Sequence, residues 1–565
     1  MDQRIRGTYA ERSTATNKNA LYDSYIRAIR WASDRIGDSG VIGFVTNAGF
    51  LDGNAAAGLR LCLVDEFSSI YIFHLRGNGR TSGERCKKEG HPLFAAHGGK
   101  GGSLAPISIN FFIKKESAKN NCQIYFHDIG DYLTRKEKLE RMSTLGNIAG
   151  VDWRAITPDQ HGDWLSQRDD GFGEFIVVGD KKEKGSLVIF ENYSNGVKTN
   201  ADAWMYNASK ISLKKNMMLF TSIYNSEVTR YASSDKIKSF EDFVTLNSSE
   251  IKWHSGIIPK AKSGKLGYFE PKSIVPSLYR PFEKQNLYFD RMFIQRMAQM
   301  PHIFPTATAE NRLICVSGIG ARSGFSALIV DALPNLHTLD TGQCFPLYLY
   351  DEIETDTSDL FSALKKERRD AITDEGLAHF QIAYPSEKIS KEDLFYYVYG
   401  LLHSPNYREK YADNLSKELP RIPCVPNQFG AFSQAGRKLA ELHINYETVA
   451  MYPAIITGDD GKNYRVEKMR YGKDKDKTTI QYNAQITITD IPLEAYEYVV
   501  NGKPAIDWVM ERQCVKTDKD SGIVNDANDW AVETMGNPRY PLELLLRVVT
   551  VSIETMKIVK ALPIF

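Results

Sequence analysis

The sequence predicts an α/β half-domain, the distal part of a doubly wound sheet, followed by a mixed α+β region with a helical middle section. Two observations carry this expectation. First, NKNALYDSYIRAIRWASDRI (Asn17 to Ile36) leads directly into GVIGFVTNAGFLDG (Gly40 to Gly53). In the former, Leu21, Tyr25, Ile29, Ala32 and Ile36 share one helical face, while Asp23, Arg27, Arg30 and Asp34 fall elsewhere. The latter is a short apolar run that ends in Thr-Asn and a Gly-punctuated loop, the pattern of a fully buried strand delivering polar groups to a sheet rim. A helix, then a strand with loops at its carboxyl end, is half of a doubly wound unit. Second, the periodicity changes several times farther along the chain.

Residues 1–150 alternate helical and buried-strand signals. AAAGLRLCLVDEF reads as a helix packed by Leu59, Leu63 and Phe67, and the part ends with NCQIYFHDIG and the amphipathic TRKEKLERMSTL. Residues 151–345 hold many short β-like runs, such as FIVVG, SLVIF, NMMLF, RLICVSG and SALIV, between Gly, Asn, Ser and Asp turns. Residues 346–447 turn helical: DLFSALKKERRDAI, KEDLFYYVYGLLH, YREKYADNLSKEL and SQAGRKLAELH. The last part, 448–565, returns to strands (YRVEKMRYG, TTIQYN, QITITD) and closes on the apolar-periodic helix YPLELLLRVVTVSIETMKIV. At ~150 residues per domain, 565 residues suit about three domains.

The seven cysteines are scattered without a Cys-x-x-Cys pair, which argues against zinc ligation and a disulfide scaffold and favours a reducing compartment. The start of the chain is polar and no apolar run approaches ~18 residues, so neither a signal peptide nor a membrane span is expected. A net charge of +1 does not itself point to nucleic acid. Local clusters do: Arg76, Arg80, Arg85, Lys87 and Lys88, then Lys100 and Lys114-Lys115. A solvated face is the plain alternative for each.

Within these clusters LRGNGRTSGE stands out, because Gly residues among Arg76, Asn78, Arg80 and Thr81 let backbone and side chains approach a phosphate or an extruded base. An ordinary connection between strands is the competing reading. Thr46, Asn47 and Gly49 end the first strand, either beside a ligand cleft or as an Asn-type turn. The GGKGGS run with Lys100 lacks the spacing of a phosphate-binding P-loop. Arg280, in Tyr279-Arg280-Pro281-Phe282, stands at a strand entry, and Arg322 lies on the Gly-rich turn GIGARSG. Either suits guanine readout through the guanidinium fork, although Arg280 could also brace a turn against Glu283 or Asp290. The histidines are dispersed, with His403 and His443 expected in helix packing, and no metal site is expected.

The block at Gly40 to Gly53 resembles the later motifs of the methyltransferase domain in Type ISP restriction-modification enzymes, the single-polypeptide Type I-like family. The likeness continues through LVDEFSSIYIFHLRGNGRTSGE, PISINFFIKK, SLYRPFEKQNLYFDR, FYYVYGLLHSPNYREKYADNLSKELPRIP, GRKLAELHINYE and SGIVNDANDW, in the family's order. It implies that 1–150 are the distal half of an adenine-specific DNA methyltransferase domain. It further implies that 151–345 are a β-rich target-recognition lobe, 346–447 a helical segment, and 448–565 a C-terminal α+β recognition lobe. The partners it implies are double-stranded DNA and an N-terminal methyltransferase, motor and nuclease portion; the location it implies is cytoplasmic.

S-adenosylmethionine serves the full-length family enzyme, yet the chain shows neither a Gly-rich cofactor loop nor an Asn-Pro-Pro-Tyr tetrapeptide. SPNY (Ser404 to Tyr407) lacks the second Pro and reads as a helix-breaking turn. The resemblance begins almost at Asp2, so the chain is expected to be a C-terminal fragment, inactive alone and weak in cofactor binding. Three functions follow: a recognition module on half a methyltransferase, a methyltransferase component completed by another polypeptide, or a DNA-binding or interaction remnant without methylation. Duplex DNA is expected in a cleft between the half-methyltransferase and the β-rich region.

Overall fold

A five-stranded mixed sheet organises the first part of the chain in a computed structural model, which describes residues 1–81, 83–94, 102–116, 122–181, 183, 185–234, 239–306, 308–352 and 366–565. The chain divides into two units. The first comprises Met1–Gly173 with Ile319–Gly324 and Lys410–Glu418. Its helix α1 (Ser24–Ser33) starts where the Asp23 carboxylate accepts the Ser24 backbone N–H. Strand β1 (Gly40–Asn47), helix α2 (Ala57–Glu66), strand β2 (Ser69–Arg76), helix α3 (Gly83–Glu89), strands β3 (Ile107–Lys114) and β4 (Gln123–Asp128), helix α4 (Arg135–Leu145) and strand β5 (Arg154–Ile156) follow.

The sheet order is β1-β3-β2-β4-β5. Strand β3 is antiparallel to both β1 and β2, which makes those two parallel to each other, and β4 runs parallel to β2. One core packs Ile26, Ile29, Phe50, Leu59, Leu63, Ile70, Ile72 and Phe112 together. A second joins Phe73, Leu75, Ile107 and Leu133 to Met142, Leu145 and Trp153.

Two expectations need correction. Strand β1 is not fully buried: it is an edge strand paired with β3, and Val41 and Val45 are 65% and 60% exposed. Its apolar run comes from alternation, with Ile42 and Phe44 turned toward the core. Arg30, placed on the polar side of its helix by periodicity, is buried, because Glu66 meets its guanidinium at 2.6 and 2.9 Å.

The second unit comprises Glu174–Gly318, Phe325–Glu409 and Leu419–Phe565. One four-stranded sheet orders Leu333–Pro334, β7 (Ile274–Arg280), β8 (Glu283–Tyr288) and β6 (Tyr206–Asn207). A second holds Ala327–Val330, Leu313–Val316, Gln343–Pro346 and Ser194–Asn195. Helices α5 (Lys391–Leu401) and α6 (Phe429–Ile444) pack so closely that a Cβ at Gly436 would strike the Tyr396 carbonyl, and one at Gly400 the Phe432 carbonyl. That contact explains the glycines of both motifs. After α5 the chain breaks at 402–404 and restarts as the short helix Pro405–Lys410, so SPNY is corrected from a turn to a helix start, with Tyr407 buried. Helix α7 (Ala505–Arg512), the hairpin β9 (Val515–Thr517) and β10 (Val524–Asp526), and helix α8 (Tyr540–Lys560) complete the unit.

Two further expectations change. NMMLF lies within the helix Lys210–Ala232 rather than in a β-like run. Of the helix expected over DLFSALKKERRDAI, residues 359–365 lie outside the described residues, while the rest is not helical. Lys366–Asp370 is a strand paired antiparallel with Tyr348–Glu352. The Arg368 guanidinium lies 4.3 Å over the Tyr348 ring, and Arg369 pairs with Asp351 and Glu191, so cross-strand contacts override the helical pattern.

Candidate nucleic-acid interface

The parallel strands of the first unit end on a common edge. Ile107, which opens β3, pairs with Asn47 on one side and Arg76 on the other. The loops after β1 and β2 therefore emerge together where open α/β sheets bind ligands. This brings Thr46, Asn47 and Gly49 beside the segment from Arg76 to Thr81. Thr46 is buried and its hydroxyl accepts from Asn110, while the Asn47 side chain accepts from the Gly49 N–H at 2.8 Å to make a tight turn.

The loop after β2 is built rather than loose. Gly77 (φ +88°) donates its N–H to the Glu89 carbonyl, and the Asn78 N–H reaches the Glu89 carboxylate at 3.0 Å. The Asn78 side chain accepts from the Arg80 N–H, and the Thr81 hydroxyl donates to the Asn78 carbonyl. Underneath, Lys138 is fully buried and holds the Glu89 and His91 carbonyls at 2.9 and 3.0 Å; burial lowers its ammonium pKa to about 8. Lys138 was invisible in the sequence, where it reads as one more charge on an amphipathic helix.

Arg76 and Arg80 differ sharply. Arg76 sits at φ +54°, a left-handed conformation disfavoured for a residue with a side chain. Its guanidinium is clamped by Asp128 at 2.6 Å and Asp131 at 2.5 Å. Burial opposes ionisation of Asp128, but hydrogen bonds from His74 and Arg76 outweigh it and hold the carboxyl well below its ordinary range. Arg80 is exposed, and among the described residues no carboxylate pairs with it. Lys100 lies outside the described residues.

The turn that carries Arg322 belongs to the same unit. The Gly320 N–H donates to the Ser416 carbonyl, and the neighbouring Lys417 carbonyl accepts from Asn54. Residues 410–418 thus link the Arg322 turn to the chain just beyond Gly49. Beneath them lies a buried charge cluster. Asp163 receives Arg60 at 2.6 Å, Lys417 at 3.0 Å and Arg168 at 3.1 Å, and Arg60 also donates to the Phe50, Gly53 and Gly162 carbonyls. Arg60 comes from a helix to which its sequence assigned no chemistry; an Arg at an apolar-flanked helical position was the available signal.

Arg280 belongs to the second unit. It does not brace against Glu283 or Asp290: its Nη1 donates to the Tyr279 carbonyl and to Asn335 at 3.0 Å, Asp202 stands 3.9 Å away, and the guanidinium covers the Tyr279 ring. His403 and His443 are buried, as packing residues would be. Among the described residues no group of three or more His, Cys, Asp or Glu is placed to hold a metal, and no helix is long and apolar enough to cross a membrane.

Residues 188–544 match the family model of the Type ISP C-terminal specificity domain. Three solved structures are similar over 100% of this chain. A nuclease-deletion mutant of the Type ISP restriction-modification enzyme LlaGI in complex with a DNA substrate mimic has 37% identity and a TM-score of 0.88, with 42% of its chain covered. The ATP-dependent Type ISP enzyme LlaBIII bound to DNA has 36% identity and a TM-score of 0.89, with 35% covered. The DrdV–DNA complex has 34% identity and a TM-score of 0.84, with 54% covered. The chain thus spans roughly a third to a half of these larger proteins. No curated protein matches significantly.

Proposed function

The chain belongs to the Type ISP C-terminal specificity domain family, and we propose from this that it recognises DNA sequence as part of a restriction-modification adenine methyltransferase. The observation that carries the proposal is the shared edge at Asn47, Arg76 and Ile107, where two Gly-containing loops present an exposed Arg80 above a rigid base. The similarity of the whole chain to proteins solved with DNA supports it.

In this reading Arg80 contacts phosphate, Arg322 reads a base edge, Asn78 and Thr81 shape the loop that approaches the duplex, and Thr46, Asn47 and Gly49 border the target base. Arg76 holds the loop in place. Arg280 reads a base edge with the part of its fork that Asn335 leaves available.

The first unit corresponds in this proposal to the distal half of the methyltransferase sheet. Its open β1 edge, with Val41 and Val45 exposed, offers unpaired backbone to a strand from another part of a longer polypeptide or from a second one. S-adenosylmethionine needs a Gly-rich turn and an acidic partner for its ribose, and the residues present do not include that turn. No catalytic step is therefore assigned to this chain.

Selection on random duplex DNA tests the reading directly. Enrichment of one sequence, with affinity falling as salt rises, is the expected result; binding without sequence preference would reject recognition. Calorimetry with S-adenosylmethionine should show weak or no binding, and micromolar affinity, about −8 kcal/mol, would contradict the half-domain assignment.

A further inference from the structure

The second unit contains a polar cavity that the DNA-contact reading does not use. Its volume is about 280 Å³, and it lies among β6, β7 and β8, the end of α7 and the hairpin β9–β10. Asn525 joins the hairpin to the sheet, accepting from the Ala208 N–H at 2.9 Å and donating to Gln285 at 3.1 Å. Asn207 adds a bond to the Val524 carbonyl at 3.0 Å. Aromatic rings of Tyr206, Tyr279 and Trp530 contribute to the lining.

Four buried polar atoms of the lining residues have no hydrogen-bond partner within the chain: Glu283 Oε2, Arg512 Nε, Gln513 Oε1 and Trp530 Nε1. Glu283 and Gln513 are only 5% and 4% exposed. The other Glu283 oxygen accepts from Gln285 at 2.6 Å, which aims Oε2 toward Arg512 Nε, 3.9 Å away. That separation is too long for a direct hydrogen bond. Buried polar atoms are nearly always satisfied, so four around one cavity mark a place where a ligand completes the set.

Charge restricts that ligand. Arg512 also meets Glu511 at 3.1 Å, and Glu511 further serves Lys503 and Lys516. Asp202 and Asp518 add negative charge to the lining. The cations are thus already balanced, which disfavours an anion such as phosphate. The volume falls below that of pockets for drug-sized ligands, and suits a single planar ring system. Its polar edge must offer donors and an acceptor together.

We propose that this cavity binds a neutral nucleobase, whose hydrogen-bonding edge is read by Glu283, Gln513 and Arg512. With Glu283 ionised, the trio of Glu283, Gln513 and Arg512 offers two acceptors and one donor, complementary to guanine, and Trp530 Nε1 adds a donor beside it. With Glu283 protonated, a state that burial favours, the trio offers two donors and one acceptor, complementary to cytosine. A free nucleoside and a base extruded from a DNA strand present the same edge.

The test is titration of the full chain with guanosine, cytidine, adenosine, uridine and ribose 5-phosphate, followed by calorimetry. Saturable binding of guanosine or cytidine is expected, weakened at least tenfold by Arg512→Lys. Glu283→Gln, whose amide donates as the protonated carboxyl does, should weaken guanosine at least tenfold and spare cytidine. Arg512→Lys keeps the charge and removes the Nε–H donor, and it decides the matter if Glu283→Gln fails to fold. In a second arm, saturating nucleoside either weakens duplex binding, which assigns the site to an extruded base, or leaves it unchanged, which assigns it to a free nucleoside. No saturation by any nucleoside, equal binding of ribose 5-phosphate, or wild-type affinity in Arg512→Lys would overturn the proposal. The first arm needs no duplex, so its failure is separate from a failure of DNA recognition.

Discussion

Each unit of this protein buries a carboxylate near cations, and the two do so in opposite ways. In the first, Asp163 is surrounded: Arg60, Lys417 and Arg168 all reach its oxygens within 3.1 Å, and Arg60 spends its remaining donors on backbone carbonyls. In the second, Glu283 has one oxygen held by Gln285 and the other 3.9 Å from Arg512. A satisfied buried charge fixes chain segments together, here the loop after β1, residues 159–168 and residues 410–418. An unsatisfied one leaves hydrogen-bonding capacity for something else.

The sharpest way to break this contrast is Asp163→Ala. Removing the shared acceptor leaves Arg60 buried without its ion-pair partner and Lys417 with only Asp52, 3.6 Å away, and such losses destabilise by ~3–5 kcal/mol. Denaturant titration of the variant should show that loss, together with greater protease sensitivity in residues 410–418. A change below ~1 kcal/mol would mean that the cluster does not hold the first unit together.

Most of this was legible only in part from sequence. The order of α1, β1, α2 and β2 follows from apolar periodicity, because those elements bury one face each. The edge position of β1 does not, since alternation and full burial look alike in an eight-residue run containing two glycines. Arg60, Lys138 and Asp163 escaped notice because each meets its partners through tertiary contacts, Arg60 and Asp163 across 103 positions. Cys315 and Cys344 likewise look scattered, yet they are cross-strand neighbours 3.1 Å apart. Of the candidate contact residues, Arg76 and Arg80 look equivalent in the sequence, and their separation into a clamped and an exposed side chain came from Asp128 and Asp131, some fifty positions away.

A buried histidine cluster extends the comparison within the second unit. His443 lies between the Tyr399 hydroxyl and Thr555, and His403 is held by the Tyr399 carbonyl. Burial, with Arg408 nearby, lowers His443 to about 3 and drives His403 down as well; burial also takes His254 to about 4. Above pH 6.5 folded and unfolded chains both keep these rings neutral, and no stability depends on them. As pH falls below 6.5, the unfolded chain takes up protons that the folded one refuses, costing ~1.4 kcal/mol per pH unit per histidine. Stability should therefore fall steeply from pH 6.5 toward 3, and His443→Gln should reduce the slope by close to one proton. An unchanged slope would show that His443 is not held neutral.

Glu283→Gln probes the open carboxylate in the other direction. Because burial raises its folded pKa above the ordinary 4.5, Glu283 contributes stability that is fully present below pH 4.5 and is lost as pH rises through the folded value. The amide has no such dependence. The variant should gain stability relative to wild type on going from acid to neutral or alkaline pH, whereas Asp163→Ala should be strongly destabilised at neutrality. A large loss for Glu283→Gln at neutral pH would place this residue with Asp163, as a structural charge.

The smallest effect on folding is expected at the surface, where Arg76 and Arg80 repeat the contrast four residues apart. Arg80→Ala should change stability by less than ~0.5 kcal/mol, since among the described residues no carboxylate pairs with its side chain. If Arg80 contacts phosphate, the variant should bind all duplexes less well, and the slope of log affinity against log salt should become shallower by ~0.9. Arg76→Ala should instead leave Asp128 and Asp131 without their shared cation and release a left-handed backbone position. It should cost folding stability and weaken DNA binding by loosening the loop, with a nearly unchanged salt slope. Labelled-duplex titrations at two salt concentrations separate the two cases. Equal slopes for Arg80→Ala and wild type would remove this loop from the interface, and a reduced slope for Arg76→Ala without loss of stability would make the clamped arginine a contact in its own right.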